Sequence, residues 1–455
     1  MHALAQLPDN VMAVLPRDVP SRGKLELLVA AYGTGERLTF GSVDSGGDAF
    51  ERLMAGDATF GELVEGLSGD GEAARLVRGD DSVFRGHRIA VVTNIPAHYR
   101  VPLLNLVASR LQHSGAGFAA FFCARGTRSR PWLPSRESLE FEHEFLSAVA
   151  VPVRARPPLI PLTLEAALRR FRPTIVLSAG FSPAVSGRCA RYARRARIPF
   201  GVWSGEHDQM KTARNRIRRA QRRRLLARAD FALAYGSASG RYLRALAPAL
   251  PTVIGRNTAP LPERSTAAAA QDRPVSIVAI GDLTDERKGI DIAIDAIRAR
   301  PDLDCRLRVI GGGTKLPALE IRAGRDSRIQ LAGPRTPEET RDALGSADLF
   351  LFPTRADIFG LTMVEAMGAG TCAVVSSAAG AVHDLCVDRV NCVVVRGDQP
   401  DSWANAVAEL TLNEPLRREI GARGRTTILR RWTIEHAADA MIAGLRLPVL
   451  VRGTR

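Results

Sequence analysis

The chain has 455 residues, of which 45% are hydrophobic and 24% charged, a composition typical of a soluble protein of two or three domains. Its six cysteines form no C-x-x-C pair, which excludes a zinc ribbon and a dense disulfide framework and favours reduced thiols. We find neither a signal-peptide pattern nor an apolar stretch suited to a membrane span, so we expect a cytoplasmic protein.

The formal net charge of +15 is concentrated in one part of the chain. Residues 151–260 hold 22 basic and 4 acidic side chains, a net of +18, and the run Lys211–Arg228 contains no acid. This charge predicts a polyanionic partner: an anionic membrane surface, a phosphorylated lipid or a nucleic acid. A solvated charged face without a partner is the alternative. Aromatic residues make up only 5% of the chain, which disfavours base stacking and hence nucleic acid.

Residues 1–85 are interpreted as an N-terminal extension of unknown role, because they fit neither half of the pattern that follows. From residue 86 to residue 262, short apolar runs alternate with segments of helical period, which is typical of a parallel sheet covered by helices. The predicted strands are Ile89–Thr93, Phe118–Cys123, Thr174–Ala179, Phe200–Ser204 and Phe231–Tyr235. The predicted helices include Val101–Leu111, Leu162–Arg172 and Pro183–Arg197.

A linker over residues 261–273 separates this domain from a second one, residues 263–455, in which the alternation restarts. Its predicted strands are Val275–Ile280, Cys305–Ile310, Ile329–Ala332, Leu349–Phe352, Cys372–Ser376 and Cys392–Val395, and two or three helices follow from Ser402 to Leu447. The predicted fold class is therefore α/β, with two Rossmann-like, doubly wound domains facing a cleft. Ligands of such sheets bind at the carboxyl ends of the strands.

The strongest local motif begins where the strand Leu349–Phe352 ends. A polar loop carries Asp357, a helix starts near Gly360, and Glu365 lies within an otherwise apolar helix. Exposed N–H groups at a helix start bind negative charge, and a buried carboxylate requires hydrogen-bond donors. Sugar hydroxyls would supply those donors; a neighbouring backbone group or an arginine is the alternative.

A second motif follows the first strand of the same domain. The loop from Gly281 to Gly289 ends in Arg287 and Lys288, two cations suited to a diphosphate, although this motif alone is better explained by solvated loop residues. Gly311 and Gly312 follow the next strand, where small residues let the backbone approach a ligand.

Together these motifs resemble the retaining GT-B glycosyltransferases of the E-x7-E type, also called family 4 or the glycogen-synthase-like group. Asp357-Ile-Phe-Gly-Leu-x-x-x-Glu365 resembles the E-x7-E motif, and Gly281…Arg287-Lys288-Gly289 resembles the phosphate loop. Ile254-Gly-Arg-Asn257 and the preceding Ala229–Ser237 resemble the end of the N-terminal domain in that group. The likeness covers about residues 88–447.

The resemblance implies roles for individual residues. Glu365 would hold the ribose hydroxyls of a nucleotide-sugar donor, and Asp357 would contact the transferred sugar. Lys288 would neutralise the diphosphate leaving group, with Arg287 as a second cation. The backbone amides of Phe359, Gly360 and Leu361 would lie near the sugar and the phosphates. Gly311 and Gly312 are added as donor-binding candidates because of the glycine turn described above. Neither a metal nor another cofactor is expected.

Two positions depart from the pattern of the group. The first carboxylate of the E-x7-E motif is Asp357, which is one methylene shorter than glutamate. Asp282 stands where the group has the arginine of its phosphate loop. Arg287 is the candidate replacement for that arginine.

The N-terminal half is expected to bind the acceptor. The candidate acceptor-binding residues follow its first strand and are Asn94, His98, Tyr99 and Arg100. His207 follows a later strand and is a candidate catalytic residue that positions a hydroxyl group, although a loop histidine is more often a surface residue.

The sequence therefore predicts transfer of a sugar, with retention, to a lipid-linked or glycan acceptor at the inner face of a membrane, in the assembly of an envelope polysaccharide or glycolipid. Lys211–Arg228 would contact the anionic surface. The alternatives are a non-catalytic protein that binds a nucleotide or an anionic surface, and a nucleotide-sugar epimerase or hydrolase on the same scaffold.

Overall fold

The computed structural model describes residues 81–126, 138–150, 159–263 and 273–453. The described chain divides into two compact units. One holds the residues up to Arg256 together with Ile434–Gly453, and the other holds Asn257–Thr433. Most of the predicted extension lies outside the described residues. Its last part, Asp81–Phe84, forms a 3-10 turn whose Phe84 is buried in the first core, so the boundary predicted at residue 86 is wrong.

The first unit contains a seven-stranded parallel sheet and a separate antiparallel pair. Valine, phenylalanine and alanine fill the sheet strands, as expected for strands covered on both faces. The strands are β1 Arg88–Thr93, β2 Gly117–Phe122, β3 Glu142–Phe145, β4 Ala148–Ala150, β5 Leu159–Pro161, β6 Ile175–Ala179, β7 Phe200–Ser204, β8 Phe231–Ala234 and β9 Thr252–Ile254. The sheet order is β3-β2-β1-β6-β7-β8-β9, and β4 pairs with β5.

Helices connect these strands, and their apolar faces pack on the sheet. The helices are α1 Val101–His113, α2 Leu164–Phe171, α3 Ser186–Ala196, α4 Lys211–Arg214, α5 Arg216–Leu226 and α6 Ser237–Leu246. The basic run is thus split between α4 and α5 at Asn215. The Asn215 side chain caps α5 by accepting a hydrogen bond of 3.0 Å from the backbone N–H of Arg218.

The second unit contains a six-stranded parallel sheet in the order β12-β11-β10-β13-β14-β15. Its strands are β10 Val275–Ile280, β11 Cys305–Ile310, β12 Ile329–Leu331, β13 Leu349–Phe352, β14 Cys372–Ser376 and β15 Val393–Val395. Its helices are α7 Ile290–Arg298, α8 Leu316–Ala323, α9 Pro337–Ser346, α10 Leu361–Ala369, α11 Val382–Leu385, α12 Pro400–Leu412 and α13 Glu414–Arg431. Strand order reverses between β10 and β13, so the loops after these two strands flank the topological switch point.

The predicted α/β class with two doubly wound sheets is confirmed. The last helix, α14 Ile434–Gly453, corrects the predicted domain 263–455, because it packs on the first unit. Its residues Ala437, Met441 and Leu445 are buried in the first core. A helical pattern shows that a face is apolar but does not show which sheet will cover it. No helix of the described ranges is long and apolar enough to cross a membrane.

The packing of α14 on β8 can be tested at Gly444. A Cβ at this position would lie 2.2 Å from Leu233 Cδ2. We expect Gly444→Ala to lower the free energy of unfolding by about 1–3 kcal/mol through overpacking, measured by urea denaturation. Gly187→Ala in α3, where a Cβ meets nothing within 4 Å, is the matched control and should be neutral or stabilising. Equal stability changes in the two variants would contradict this packing.

Candidate active site

The loops after β10 and β13 touch at the switch point of the second unit. Gly289 has a φ of +67°, and a Cβ on it would lie 1.9 Å from the carbonyl oxygen of Pro353. Gly311, after β11, has a φ of +150°, and a Cβ there would lie 1.9 Å from the carbonyl oxygen of Gly281. Glycine is therefore required at both positions for the three loops to approach one another. Gly312, beside Gly311, lies near the ring of Pro334.

Hydrogen bonds hold the β10 and β13 loops together. The carbonyl oxygen of Arg287 accepts hydrogen bonds of 2.7 Å from Thr354 Oγ1 and from the backbone N–H of Arg355. The guanidinium of Arg355 donates to both carboxylate oxygens of Asp291, at 2.9 and 2.8 Å, in the first turn of α7. Arg355 was not predicted to have a role, although it lies inside the motif between Phe352 and Asp357. Arg355 fixes the relative position of the two loops.

Lys288 and Asp357 are brought together by this arrangement. Lys288 Nζ donates a hydrogen bond of 2.6 Å to Asp357 Oδ2, and both side chains are mostly buried. The two predicted site residues therefore form an ion pair across the two loops. A diphosphate at Lys288 has to compete with the Asp357 carboxylate for the same ammonium group.

Arg287 makes a different ion pair, within its own loop. Its Nε donates a hydrogen bond of 2.9 Å to Asp285 Oδ1, and this bond is the main cause of the raised pKa of Arg287. Asp282, at the position where the resemblance predicts arginine, accepts a hydrogen bond of 3.0 Å from the backbone N–H of Thr284. A carboxylate is therefore present at both places: Asp285 is paired with Arg287, and position 282 is itself an aspartate.

The loop before α10 is shaped by Asp357 and Gly360. Asp357 Oδ1 accepts a hydrogen bond of 3.1 Å from the backbone N–H of Phe359. Gly360 has a φ of +103° and precedes the first helical residue, Leu361. The Phe359 ring is buried and stacks on Trp432 at a centroid distance of 5.8 Å. The start of α10 is thus held in place by packing on one side and by Asp357 on the other.

Glu365 is buried in α10 without a hydrogen bond from any described residue. Burial raises the pKa of its carboxyl to about 7, and the nearby charge of Arg341 only partly opposes that rise. Among the described residues, Arg341 acts on this carboxyl through its charge, and no backbone group or arginine donates a hydrogen bond to it. A buried carboxyl without donors is costly, so this group is suited to a ligand that supplies hydroxyl groups.

The predicted residues of the first unit differ in exposure. Asn94 is exposed, His98 and Tyr99 are half-buried and meet edge to face at 5.5 Å, and Arg100 is buried. His207 is only 1% exposed, so its interpretation as a surface residue is wrong. Its Nδ1 lies 4.0 Å from Asp208 Oδ1.

The basic run is only partly available to an external partner. Arg222 is buried, with Nη2 at 2.8 Å from Glu206 Oε1 and Nη1 donating to the Tyr242 hydroxyl at 2.8 Å. Helix α5 also presents Ile217 to solvent, with 72% of its surface exposed. The exposed cations of α5 are Arg216, Arg219, Arg223 and Arg224.

The raised pKa of Glu365 predicts a pH-dependent stability. The native carboxyl keeps its proton up to about pH 7, whereas an unfolded glutamate loses it near pH 4.5, so the free energy of unfolding falls as the pH rises through this window. Glu365→Gln cannot ionise, and we expect its advantage over the wild type to grow by about 2–3 kcal/mol from pH 4.5 to pH 8. Urea denaturation at each pH measures this difference.

Glu320→Gln, at an exposed position of α8, is the control for that comparison. An advantage of Glu365→Gln that does not change with pH would show that the native carboxyl ionises normally.

The chain is similar to known proteins in sequence and in fold. Residues 274–413 match a family described as "Glycosyl transferases group 1". A D-inositol 3-phosphate glycosyltransferase of Xylanimonas cellulosilytica is 31% identical over 162 residues, which cover 34% of this chain and 38% of that protein. An uncharacterized glycosyltransferase of Methanocaldococcus jannaschii is 28% identical over 141 residues, 30% of this chain and 39% of that protein. The chain thus spans about two fifths of the length of these relatives.

Two solved structures resemble the fold over most of the chain. HepE of Anabaena, in complex with UDP and glucose, has a TM-score of 0.63 at 16% identity and covers 79% of this chain and 99% of its own. Sucrose-phosphate synthase of Thermosynechococcus elongatus has a TM-score of 0.61 at 17% identity and covers 81% and 99%. The chain therefore has the GT-B type of fold that its motifs predict, and its second unit matches the group 1 glycosyltransferases.

Proposed function

We propose that the chain is a glycosyltransferase that moves a sugar from a nucleoside-diphosphate sugar to an acceptor hydroxyl, with retention of the anomeric configuration. The observation that carries this proposal is Glu365, a buried carboxyl without donors, on the helix that starts beside the Lys288–Asp357 pair. The family match over residues 274–413 and the relatives named as glycosyltransferases support it.

In this proposal the donor binds to the second unit. The ribose hydroxyls donate hydrogen bonds to Glu365, and the backbone N–H groups of Gly360 and Leu361 bind the sugar and the phosphates at the start of α10. The N–H of Phe359 joins them once Asp357, to which it donates, turns to the sugar. The left-handed backbone of Gly360 allows a ligand to approach the chain closely. HepE, a structural neighbour, is described in complexes with UDP and with UDP-glucose, which supports a uridine nucleotide as the first candidate.

The leaving group is stabilised by the cations of the β10 loop. When the bond between the anomeric carbon and the diphosphate breaks, negative charge grows on the diphosphate oxygen, and Lys288 stabilises it. Asp357, released from Lys288, contacts the transferred sugar. Arg287 is the second cation, once it exchanges Asp285 for the phosphate. The proposal includes no metal and no cofactor.

The acceptor is proposed to bind the first unit through Asn94, His98, Tyr99 and Arg100, with His207 positioning its hydroxyl group. We further propose that the acceptor is lipid-linked or a glycan, and that the protein acts at the inner face of a membrane in envelope polysaccharide or glycolipid assembly. The exposed arginines of α5 and the exposed Ile217 support contact with an anionic bilayer.

Nucleotide binding tests the donor site. We expect UDP, GDP or ADP, or one of their sugar conjugates, to raise the melting temperature of the full chain, and Lys288→Ala and Glu365→Ala to abolish that rise. In a transfer assay with the nucleotide sugar that binds, Lys288→Ala should lower kcat by about 100- to 1000-fold, because it removes a cation from the leaving group. Arg325→Ala, at an exposed position of the second unit, is the control.

The outcomes separate the proposed function from its alternatives. Turnover of the donor without an acceptor would indicate a hydrolase or an epimerase, and binding without turnover would indicate a non-catalytic protein. The absence of binding by any nucleotide would contradict the proposal. The anomeric configuration of the product, read by NMR, tests retention.

Membrane contact can be tested separately by co-sedimentation with vesicles. We expect binding to vesicles that contain anionic phospholipid, weakened by salt, and lost in the triple variant Arg216→Glu, Arg219→Glu, Arg223→Glu. Reversal of three exposed arginines of the second unit, Arg325, Arg418 and Arg430, changes the net charge equally and should preserve most binding. Equal loss in both triple variants would contradict a specific surface on α5.

A further inference from the structure

The guanidinium of Arg100 lies at the carboxyl ends of three strands of the first sheet. Its Nη1 donates a hydrogen bond of 2.8 Å to Thr93 Oγ1 at the end of β1, and its Nη2 donates one of 2.5 Å to the hydroxyl of Tyr235, directly after β8. The guanidinium carbon lies 4.5 Å from the centroid of the Trp203 ring, near the end of β7. These partners are neutral, and none of them is a carboxylate.

Arg100 is 91% buried, and no carboxylate of the described chain pairs with it. Buried cations are normally paired, because desolvation of an isolated charge is costly. Among the other buried arginines that the structure describes in this unit, Arg222 pairs with Glu206 and Arg446 pairs with Asp81. The aromatic faces and hydroxyls around Arg100 compensate only part of the cost, since neutral partners carry no opposite charge.

Two buried donors in this cluster lack an acceptor. Neither Arg100 Nε nor Trp203 Nε1 has a hydrogen-bond partner in the described chain, although both atoms are inaccessible to solvent. The guanidinium of Arg100 lies over the Trp203 ring, so the two residues with unmet donors are in contact with each other. Native proteins rarely leave such groups unmet. A negatively charged group that accepts hydrogen bonds would satisfy such donors and neutralise the guanidinium.

We propose that Arg100 and Trp203 form a binding site for an oxyanion carried by the acceptor, either a carboxylate or a phosphate. The site is built only from the first unit, at the edge of the sheet where α/β folds bind ligands. That the anionic group belongs to the sugar acceptor rests on the proposed function, whereas the anion site itself does not. The forked guanidinium matches two oxygens of such a group, which an ammonium cannot do.

Tryptophan fluorescence of the full chain tests the proposal, with inorganic phosphate and acetate as separate probes at constant ionic strength. We expect a saturable change with at least one probe, lost in Trp203→Phe and in Arg100→Met. Arg100→Lys should weaken it by about tenfold, because the fork is lost. Arg222→Lys, which alters a buried arginine that already has a carboxylate, is the matched control and should keep the response. The stronger probe identifies the anionic group.

Two further readouts distinguish binding from a structural role. Arg100→Met should be at least as stable as the wild type, since it removes an uncompensated buried charge. Its nucleotide-induced melting shift should also be unchanged, because the donor site lies in the other unit. A wild type without a saturable response, a response that persists in Arg100→Met, or strong destabilisation of Arg100→Met would overturn the proposal. None of these results would alter the test of donor binding.

Discussion

The backbone of Gly289 lies against the carbonyl oxygen of Pro353, and the geometry of the candidate site depends on this contact. A side chain on Gly289 would push the β10 and β13 loops apart. Because the loops touch, Arg355 can reach Asp291, and Lys288 can reach Asp357. A parallel sheet supplies the switch point, and this close approach joins the two neighbouring loops into one surface.

The charges on that surface are paired with one another. Lys288 is paired with Asp357, and Arg287 is paired with Asp285. A diphosphate that binds either cation therefore has to displace its carboxylate partner. Under the proposed function, this exchange would favour a diphosphate over a ligand with one weak negative charge, which gains too little to separate a mostly buried ion pair. Glu365 differs from these cations, because no described residue donates a hydrogen bond to its carboxyl. A ligand that donates hydrogen bonds to it would therefore displace no described protein partner.

The sequence predicted the strands around the site well, because buried parallel strands are short apolar runs with turn residues at both ends. It also predicted that Lys288 and Asp357 lie in loops after two strands of one sheet, with Glu365 on the helix that follows Asp357. It did not predict that α14 returns to the first unit, or that Arg222 and His207 are buried. These features depend on which surfaces meet in three dimensions, and a local pattern of polarity does not contain that information. The ion pair between Arg287 and Asp285 was not predicted, because charged residues in a loop are usually exposed to solvent.

Glu365 is proposed to accept hydrogen bonds from the hydroxyl groups of a bound nucleotide sugar, and this role predicts that protons are released on binding. Calorimetry with the nucleotide sugar that binds, at pH 6.5 in two buffers of different ionisation enthalpy, measures the protons released. Since the pKa of the empty carboxyl is raised to about 7, binding that favours the carboxylate should release a substantial fraction of a proton from the wild type. Glu365→Gln should release none. Equal proton release by the two proteins, or none by the wild type, would contradict this role of Glu365.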